Sequence, residues 1–257
     1  TAMRKIRLRI TRSVVPNLLT LGNLFSGYTA IIYLTNNNIK AAAAFVLLAG
    51  IFDMLDGITA RLINAASELG AELDSLCDAV SFGVVPSFML YKVVFYQFGE
   101  FGILLSSFPA LGGVLRLARF NILLSTFEDK LYYRGMPIPS AAITIISYII
   151  FHHFDTNISE QIRYVMPYLL TVIVPLLMVS NIKFDNLPRP TKRSFQERPF
   201  VFVIFTIAFI AILLSKGYLI FPFMIFYIVA SSLRHFINWI KINSIPIDEF
   251  DENIEEE

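Results

Sequence analysis

The chain has 257 residues, of which 56% are hydrophobic and 16% are charged, and its mean hydropathy is +0.64. This composition is too apolar for a soluble domain with a hydrated surface, so it excludes that class of protein. Cys77 is the single cysteine, which excludes an internal disulfide. The formal net charge of +1 hides an uneven distribution, because seven of the 20 acidic residues lie in the last ten positions.

The charges divide the chain into a basic body and an acidic C-terminal tail. Without the seven acids of the tail, 13 acidic residues remain against 21 Lys and Arg, a net charge of +8. The last ten residues contain almost no apolar side chains, so we expect the tail, residues 241–257, to be disordered. Residues 1–13 are basic and precede a long apolar stretch without a convincing cleavage site. We interpret that stretch as a retained first membrane span.

The apolar stretches predict an all-α, polytopic membrane helical bundle. A span needs about 20 apolar residues, and the periodicity is helical or continuous, without the alternation of a barrel strand. Eight candidate spans cover roughly residues 14–35, 40–61, 74–97, 101–124, 137–154, 162–182, 199–215 and 218–240. The seventh is short and the third carries acidic residues, so we expect six to eight spans. A basic, proline-rich loop at residues 183–198 connects the sixth to the seventh.

The distribution of Lys and Arg predicts the orientation in the membrane. With the N-terminus in the cytoplasm, 17 of the 21 basic residues fall in cytoplasmic segments. The other four are Lys40, Lys92, Arg163 and Lys216. The same orientation puts the end of the second span and the start of the third at the cytoplasmic face of a cell membrane, which we expect to be prokaryotic.

Four aspartates lie where the second span ends and the third begins. Asp53 and Asp56 are three residues apart, and Asp74 and Asp78 are four apart, so each pair shares one face of a helix. An acidic residue in or beside a membrane span is costly and marks a functional site. We expect the intervening segment, with Gly70, to reverse the chain, so that two antiparallel helices point all four carboxylates into one pocket.

This acidic cluster predicts divalent metal ions and a phosphate-bearing lipid substrate. Its carboxylates repel one another unless they are protonated or cations lie among them. Oxygen ligands select Mg²⁺, Mn²⁺ or Ca²⁺ over zinc, and four carboxylates can hold two such ions, which would neutralise a diphosphate. Gly57 follows on the next turn, and Ala60 and Arg61 return to the side of Asp53. The small residues let a substrate approach the backbone, while Arg61 adds a fixed cation for phosphate oxygens.

The spacing D-x2-D-G-x2-A-R-x8-G-x3-D-x3-D resembles the signature of the CDP-alcohol phosphotransferases, with no departure from it. The fixed positions in this chain are Asp53, Asp56, Gly57, Ala60, Arg61, Gly70, Asp74 and Asp78. Flanking segments resemble the phosphatidylserine synthase branch of that family. These segments are Pro16–Asn23, Leu73–Pro86, Arg116–Asn121 and Gly135–Pro139, so the resemblance covers about residues 14 to 142.

The resemblance implies an activity and a role for each matching residue. Family members displace CMP from a CDP-linked donor with an alcohol acceptor, and the branch implies CDP-diacylglycerol and L-serine. Asp53, Asp56 and Asp74 would bind the metal, and Asp78 would be both a ligand and the general base. The residues that would line the CDP-diacylglycerol site are Asn17, Thr20, Gly57, Ala60, Arg61 and Gly70.

The resemblance also implies the cofactors and the assembly. The ions would be Mg²⁺ or Mn²⁺, two in number, with Ca²⁺ as a substitute. The six-span core of the family, here expected within residues 14–182, is generally paired in a homodimer. The spans in residues 199–240 would then be two extra C-terminal helices. No nucleic-acid partner is expected.

An acceptor such as serine needs a cation for its carboxylate. Arg116 and Arg119 lie three residues apart at the inner end of the fourth span, on one helix face. Together with the family resemblance, this position predicts that they bind serine, with Asn121 as a further polar contact. Ordinary anchoring at the positive inner face is the alternative interpretation of both arginines.

The alternative functions differ from serine transfer either in the acceptor or in the class of protein. Glycerol 3-phosphate or inositol phosphate is the alternative acceptor, although Ser75 and Ala79 replace the Pro and Lys typical of phosphatidylglycerophosphate synthases. A donor with archaeal-type lipid chains is also open. A cation transporter would need acids near the bilayer midplane and related repeats, and no repeat is evident in the sequence. A structural scaffold does not explain the carboxylates.

Overall fold

The computed structural model describes residues 13–63, 67–124, 132–185 and 199–243. Within these ranges, six helices are long and apolar enough to cross a membrane. The expected all-α bundle of an integral membrane protein is therefore confirmed, with a number of spans inside the predicted range. The basic segment 1–13, the loop 183–198 and the acidic tail 241–257 lie largely outside the described residues.

The described residues form α-helices joined by short connections and one small sheet. The α-helices are α1 (Val14–Thr35), α2 (Ile39–Leu62), α3 (Glu68–Asp78), α4 (Val85–Val93), α5 (Gly99–Leu124), α6 (Ile138–Phe151), α7 (Glu160–Val179), α8 (Pro199–Leu214) and α9 (Ile220–Asn243). A π-helical segment, Ala79–Val84, joins α3 to α4, and a 3₁₀ turn, Phe95–Phe98, precedes α5. Strand β1 (Tyr132–Arg134) pairs antiparallel with β2 (Lys183–Asp185).

Helices α1 and α2 form an antiparallel hairpin, and their bounds agree with the predicted spans to within one residue. The Asn38 side chain accepts a hydrogen bond from the Ala41 amide at 3.1 Å and caps α2. Small buried residues on both helices let the backbones approach closely. These residues are Ser26, Gly27, Ala30, Ala42, Ala43 and Ala49. Helix α1 also packs against α3, so it contacts both aspartate-bearing helices.

The third span is a composite of α3, the π-helical segment and α4, and it runs from Glu68 to Val93. The prediction that this span begins at residue 74, with Gly70 in the reversal of the chain, is wrong. Gly70 lies in the first turn of α3, where its amide donates to the Ser67 hydroxyl at 3.1 Å. Hydropathy places the start too late because this first turn is largely exposed and is held by the Ser67 cap rather than by apolar burial.

Helix α6 has only 14 residues, about 21 Å of helix, and is shorter than the predicted span at 137–154. It packs against α4, α5, α7, α9 and the π-helical segment. Most of its side chains are buried, including Tyr148 and Ile149. Because contacts with its neighbours stabilise α6, these contacts also determine where the helix begins and ends. The length of the apolar run therefore does not predict the length of the helix.

The β1–β2 sheet holds the start of α6 against the end of α7, and the sequence did not predict it. Gly135 donates from its amide to the Ile182 carbonyl at 2.9 Å, and Met136 donates to the Leu177 carbonyl at 3.0 Å. Three-residue strands carry too short a pattern to stand out from the flanking loops.

We expect Gly135→Ala to destabilise the fold by about 2 kcal/mol or more. Gly135 has a φ of +81°, and an added Cβ would lie 2.1 Å from the Met178 carbonyl oxygen. Thermal unfolding in detergent measures the effect. Gly99→Ala is the matched control, since Gly99 has a φ of +56°, but among the described residues nothing beyond the adjacent chain lies within 4 Å of an added Cβ. Equal shifts in the two variants would show that the close contact at Gly135 is unimportant.

Helix α9 packs against α6 and β2 and so attaches the C-terminal region to the bundle. Tyr148 of α6 lies 5.1 Å from Phe221 of α9 between ring centroids, and His152 stacks on Tyr218 at 4.4 Å. The Tyr218 hydroxyl donates to Asp155 at 2.8 Å. Burial lowers the pKa of His152, so this ring stays neutral in its aromatic contact near neutral pH.

Candidate active site

Helices α2 and α3 bring three of the predicted aspartates together. One carboxylate oxygen from each of Asp53, Asp56 and Asp74 lies within 4.8 Å of the other two. Asp53 and Asp56 lie on the final turns of α2, and Asp74 lies in the middle of α3. Asp78 lies one turn further along α3 and is outside this three-residue group. The paired helical spacing therefore brings together three of the four aspartates that the sequence predicts in one pocket.

The buried oxygens of this cluster fit a divalent metal ion. Asp56 is 6% exposed, and neither its Oδ2 nor the Oδ1 of Asp74 has a hydrogen-bond partner among the described residues. Buried carboxylate oxygens without a donor are costly, and a hard cation with oxygen ligands satisfies them.

Asp78 is held by α1. The Asn23 side-chain amide donates to Asp78 Oδ1 at 3.0 Å, and Ser81 donates from its hydroxyl to the Asn23 carbonyl at 3.1 Å. Asn23 and Ser81 are fully buried, and Asp78 is 7% exposed. The sequence indicates no role for Asn23 beyond the resemblance of its segment. A polar residue within an apolar helix was the only available signal.

A cleft of about 180 Å³ lies between α1, α2 and α3, beside the acidic cluster. It is lined by Pro16, Asn17, Thr20, Asp56, Gly57, Ala60, Ser67, Gly70, Ala71 and Asp74. The structure thus brings together five of the six residues predicted for the CDP-diacylglycerol site and two of the predicted metal ligands. Pro16, Ser67 and Ala71 were missed, although a serine before an acidic residue is a recognisable helix cap.

Arg61 is the sixth predicted donor-site residue and is exposed, outside the lining of the cleft. Its Nε donates to the Gly57 carbonyl at 2.8 Å, so the guanidinium turns back along α2. A Cβ added at Gly57 would lie 3.9 Å from a terminal nitrogen of Arg61. The absence of a side chain at Gly57 thus leaves room beside this cation.

The two arginines predicted to bind serine have different surroundings. Arg116 is 7% exposed, and its guanidinium carbon lies 5.4 Å from the centroid of the Phe120 ring. Arg119 donates to the Val179 carbonyl at 2.8 Å and also hydrogen-bonds the Asn181 side chain. Arg119 therefore links α5 to the C-terminal end of α7, a structural contact that the sequence did not indicate.

Asn121 connects α5 to the helix that carries Asp74 and Asp78. Its Oδ1 accepts a hydrogen bond from Ser75 at 3.2 Å, and its Nδ2 donates to Glu72 at 3.4 Å. Because Ser75 directly follows Asp74, these hydrogen bonds place Asn121 of α5 against α3 close to the acidic cluster. Glu72 was not singled out from the sequence.

Comparisons with known proteins agree with this site. The sequence model of the CDP-alcohol phosphatidyltransferase family matches residues 13–179. The CDP-diacylglycerol–serine O-phosphatidyltransferase of Helicobacter pylori is 37% identical over 174 residues, which are 66% of this chain and 71% of that protein. The enzyme of the same name from Bacillus subtilis is 35% identical over 183 residues, covering 71% and 96% of the two chains.

An archaeal relative extends the comparison beyond bacteria. The archaetidylserine synthase of Methanothermobacter thermautotrophicus is 34% identical over 174 residues, which are 67% of this chain and 70% of that protein. The matched family region contains α1 to α7 and all four aspartates, whereas α8 and α9 follow it. Together, the signature spacing, the acidic cluster and these matches establish that the chain belongs to the CDP-alcohol phosphatidyltransferase family.

Proposed function

We propose that the protein transfers the phosphatidyl group of CDP-diacylglycerol to the hydroxyl of L-serine, giving phosphatidylserine and CMP. The observation that carries the proposal is the acidic cluster beside a cleft lined by the donor-site residues of the family signature. The names of the bacterial relatives support serine as the acceptor. The archaeal relative supports a second candidate, the same transfer from a donor with archaeal-type chains.

Asp53, Asp56, Asp74 and Asp78 are the residues that would hold two Mg²⁺ or Mn²⁺ ions, with Ca²⁺ as a substitute. Three of them already share one site, which supports this assignment. Such ions, when bound, neutralise a diphosphate and stabilise the charge on the departing phosphate.

The cleft between α1, α2 and α3 would take the CDP part of the donor. Gly57, Ala60 and Gly70 leave space for the nucleotide close to the backbone, while Asn17 and Thr20 offer polar contacts. Arg61 at the rim would bind phosphate oxygens. The diacylglycerol part would stay in the bilayer beside the spans.

Asp78 would act as the general base. It takes the proton from the serine hydroxyl as that oxygen forms a bond to the phosphorus attached to diacylglycerol. The bond between this phosphorus and the oxygen of CMP breaks, and CMP leaves. A carboxylate is a weak base in the ground state, so proton transfer late in the reaction suits it. Positioning and charge stabilisation would supply most of the rate.

The acceptor site would lie between α3 and α5. Arg116 would bind the serine carboxylate, and Asn121 would offer a further polar contact from its position beside Ser75. Arg119 would contribute to the same positive surface while it links α5 to α7. Burial strengthens the attraction between a guanidinium and a carboxylate, which supports Arg116 as the main ligand.

We expect Arg116→Met to raise the KM for serine about 10- to 100-fold, because a charged hydrogen bond worth about 1.5–3 kcal/mol is lost. The KM for CDP-diacylglycerol should change less than about threefold, since this arginine would contact only the acceptor. Arg163→Met is the control, because Arg163 lies at the opposite end of α7 from the Arg119 contact. Equal increases in both KM values would argue against a serine ligand.

The site would face the cytoplasm of a prokaryotic cell membrane, and two copies of the chain would form a homodimer. The excess of Lys and Arg on the side of the acidic cluster supports this orientation. The family resemblance supports the dimer. Crosslinking in native membranes tests the dimer, and accessibility of a cysteine introduced beside Arg61 tests the orientation.

A panel of acceptors tests the proposed function. The purified protein in detergent is given CDP-diacylglycerol and Mn²⁺, and CMP release is followed with L-serine, glycerol 3-phosphate or inositol phosphate. Release that depends on serine supports the proposal. Release with a phosphorylated alcohol instead would keep the chemistry and overturn the acceptor. Metal binding without release in any reaction would favour another alcohol or a transporter.

A further inference from the structure

A buried polar contact joins α1 to the start of the π-helical segment behind the acidic cluster. Asn23 contacts α3 and its π-helical extension in two ways. Its side-chain amide donates to Asp78 Oδ1 at 3.0 Å, and its carbonyl accepts from the Ser81 hydroxyl at 3.1 Å. Because all three residues are buried, water does not compete for these hydrogen bonds.

Local backbone geometry makes this contact possible. The π-helical segment begins directly after Asp78, and such segments are frequent at functional sites. An added Cβ at Gly27 would lie 2.3 Å from the Ser81 hydroxyl and 3.0 Å from its Cα. Only a glycine one turn beyond Asn23 lets Ser81 approach α1 this closely. Ser81 then holds the Asn23 backbone while the Asn23 side chain holds Asp78.

We infer that Asn23 is a positioning residue that fixes the orientation of the Asp78 carboxylate. A carboxylate can rotate about its last side-chain bond. Without a hydrogen bond to hold them, its two oxygens would adopt many orientations relative to a ligand. Donation to Oδ1 restricts this rotation and leaves the second oxygen in one direction for a metal ion or an acceptor proton. The inference rests on the proposed role of Asp78 as a ligand and base. It extends that role to a residue outside the family signature.

Affinity for Mn²⁺ tests the inference without the need for any acceptor. Electron paramagnetic resonance of the purified protein in detergent would measure the Kd for Mn²⁺. Loss of a residue that orients a metal ligand typically weakens affinity or activity about 10- to 100-fold. Asn23→Ala should therefore raise the Kd for Mn²⁺ about tenfold. Asn23→Leu, which keeps the branched shape but has no donor, should do the same and covers the case of an alanine variant that does not fold.

A double-mutant cycle separates positioning from a general effect on the fold. In an Asp78→Asn background, Asn23→Ala or Asn23→Leu should change the Kd for Mn²⁺ less than about twofold, because Asn23 acts through Asp78. Ser26→Ala is the matched control. Ser26 is buried one turn from Asn23, and among the described residues its hydroxyl donates to the Gly22 carbonyl of its own helix. The Kd of the Ser26→Ala variant for Mn²⁺ should therefore equal that of the wild type.

Two results would overturn the inference. One is an unchanged Kd for Mn²⁺ in both Asn23 variants of the otherwise wild-type chain. The other is an equal increase in the wild-type and Asp78→Asn backgrounds, which would mean that Asn23 acts through packing of α1. Failure of the proposed function is a distinct result, because the wild-type protein would then bind no Mn²⁺ or would bind it and release no CMP with serine.

Discussion

Asp78→Asn should lower kcat for serine-dependent CMP release by about 10³-fold or more. The substitution keeps the size and shape of the side chain, so the contact with α1 is perturbed little. It removes the negative charge and the ability to take a proton from the acceptor hydroxyl. A general base alone contributes about 10²- to 10⁴-fold, and loss of a metal ligand adds to this effect.

Asp155→Asn is the control for this prediction. Asp155 is an aspartate in the connection between α6 and α7, where it bonds Asn157 and Tyr218 rather than the acidic cluster. Single-turnover measurements of CMP formation, at saturating donor and serine, compare the two variants with the wild type. If Asp78→Asn retained more than about a tenth of the wild-type kcat, another residue would have to be the base.

Asp56→Asn should abolish the stabilisation of the protein by Mn²⁺ and lower activity about 100-fold or more. Asp56 is buried, and its Oδ2 has no hydrogen-bond partner among the described residues, so a neutral amide there lacks the charge that attracts a cation. A ligand present at about 100 times its Kd stabilises the folded state by about 2.7 kcal/mol. The wild type should show such an increase with Mn²⁺, and the variant should not.

Without metal, Asp56→Asn should stabilise the protein rather than leave it less stable than the wild type. In the presence of EDTA, Asp53, Asp56 and Asp74 repel one another when ionised, so removal of one charge should raise the unfolding temperature of Asp56→Asn above that of the wild type. Thermal unfolding in detergent measures both effects. Glu100→Gln is the control, because Glu100 is exposed at the start of α5. A Mn²⁺-dependent increase of equal size in Asp56→Asn and in the wild type would remove Asp56 from the metal site.

The fold was predictable where hydrophobic length determines the structure. Helices α1 and α2 lie within one residue of their predicted bounds because each is a continuous apolar run of span length. The start of α3 was missed because the Ser67 cap, rather than burial of apolar side chains, determines it. The β1–β2 sheet was missed, and α6 was predicted too long, because packing between distant segments determines both.

The site was predictable where residues on one helix determine it. Asp53 and Asp56, like Asp74 and Asp78, share a helix face by their spacing alone, and the structure brings three of the four carboxylates together. The contact between Asn23 and Asp78 could not be predicted, because it joins residues 55 positions apart through the packing of α1 on α3. The hydrogen bond from Arg119 to the Val179 carbonyl, at the end of α7, could not be predicted for the same reason.

The most direct test of the central claim is the stoichiometry of CMP and lipid product. The purified protein is incubated with CDP-diacylglycerol, Mn²⁺ and isotopically labelled L-serine, and both products are quantified by mass spectrometry. We predict one molecule of labelled phosphatidylserine for each CMP released, and neither product when serine is omitted. CMP release without a labelled lipid, or no release at all from protein that binds Mn²⁺, would contradict the proposed transfer to serine.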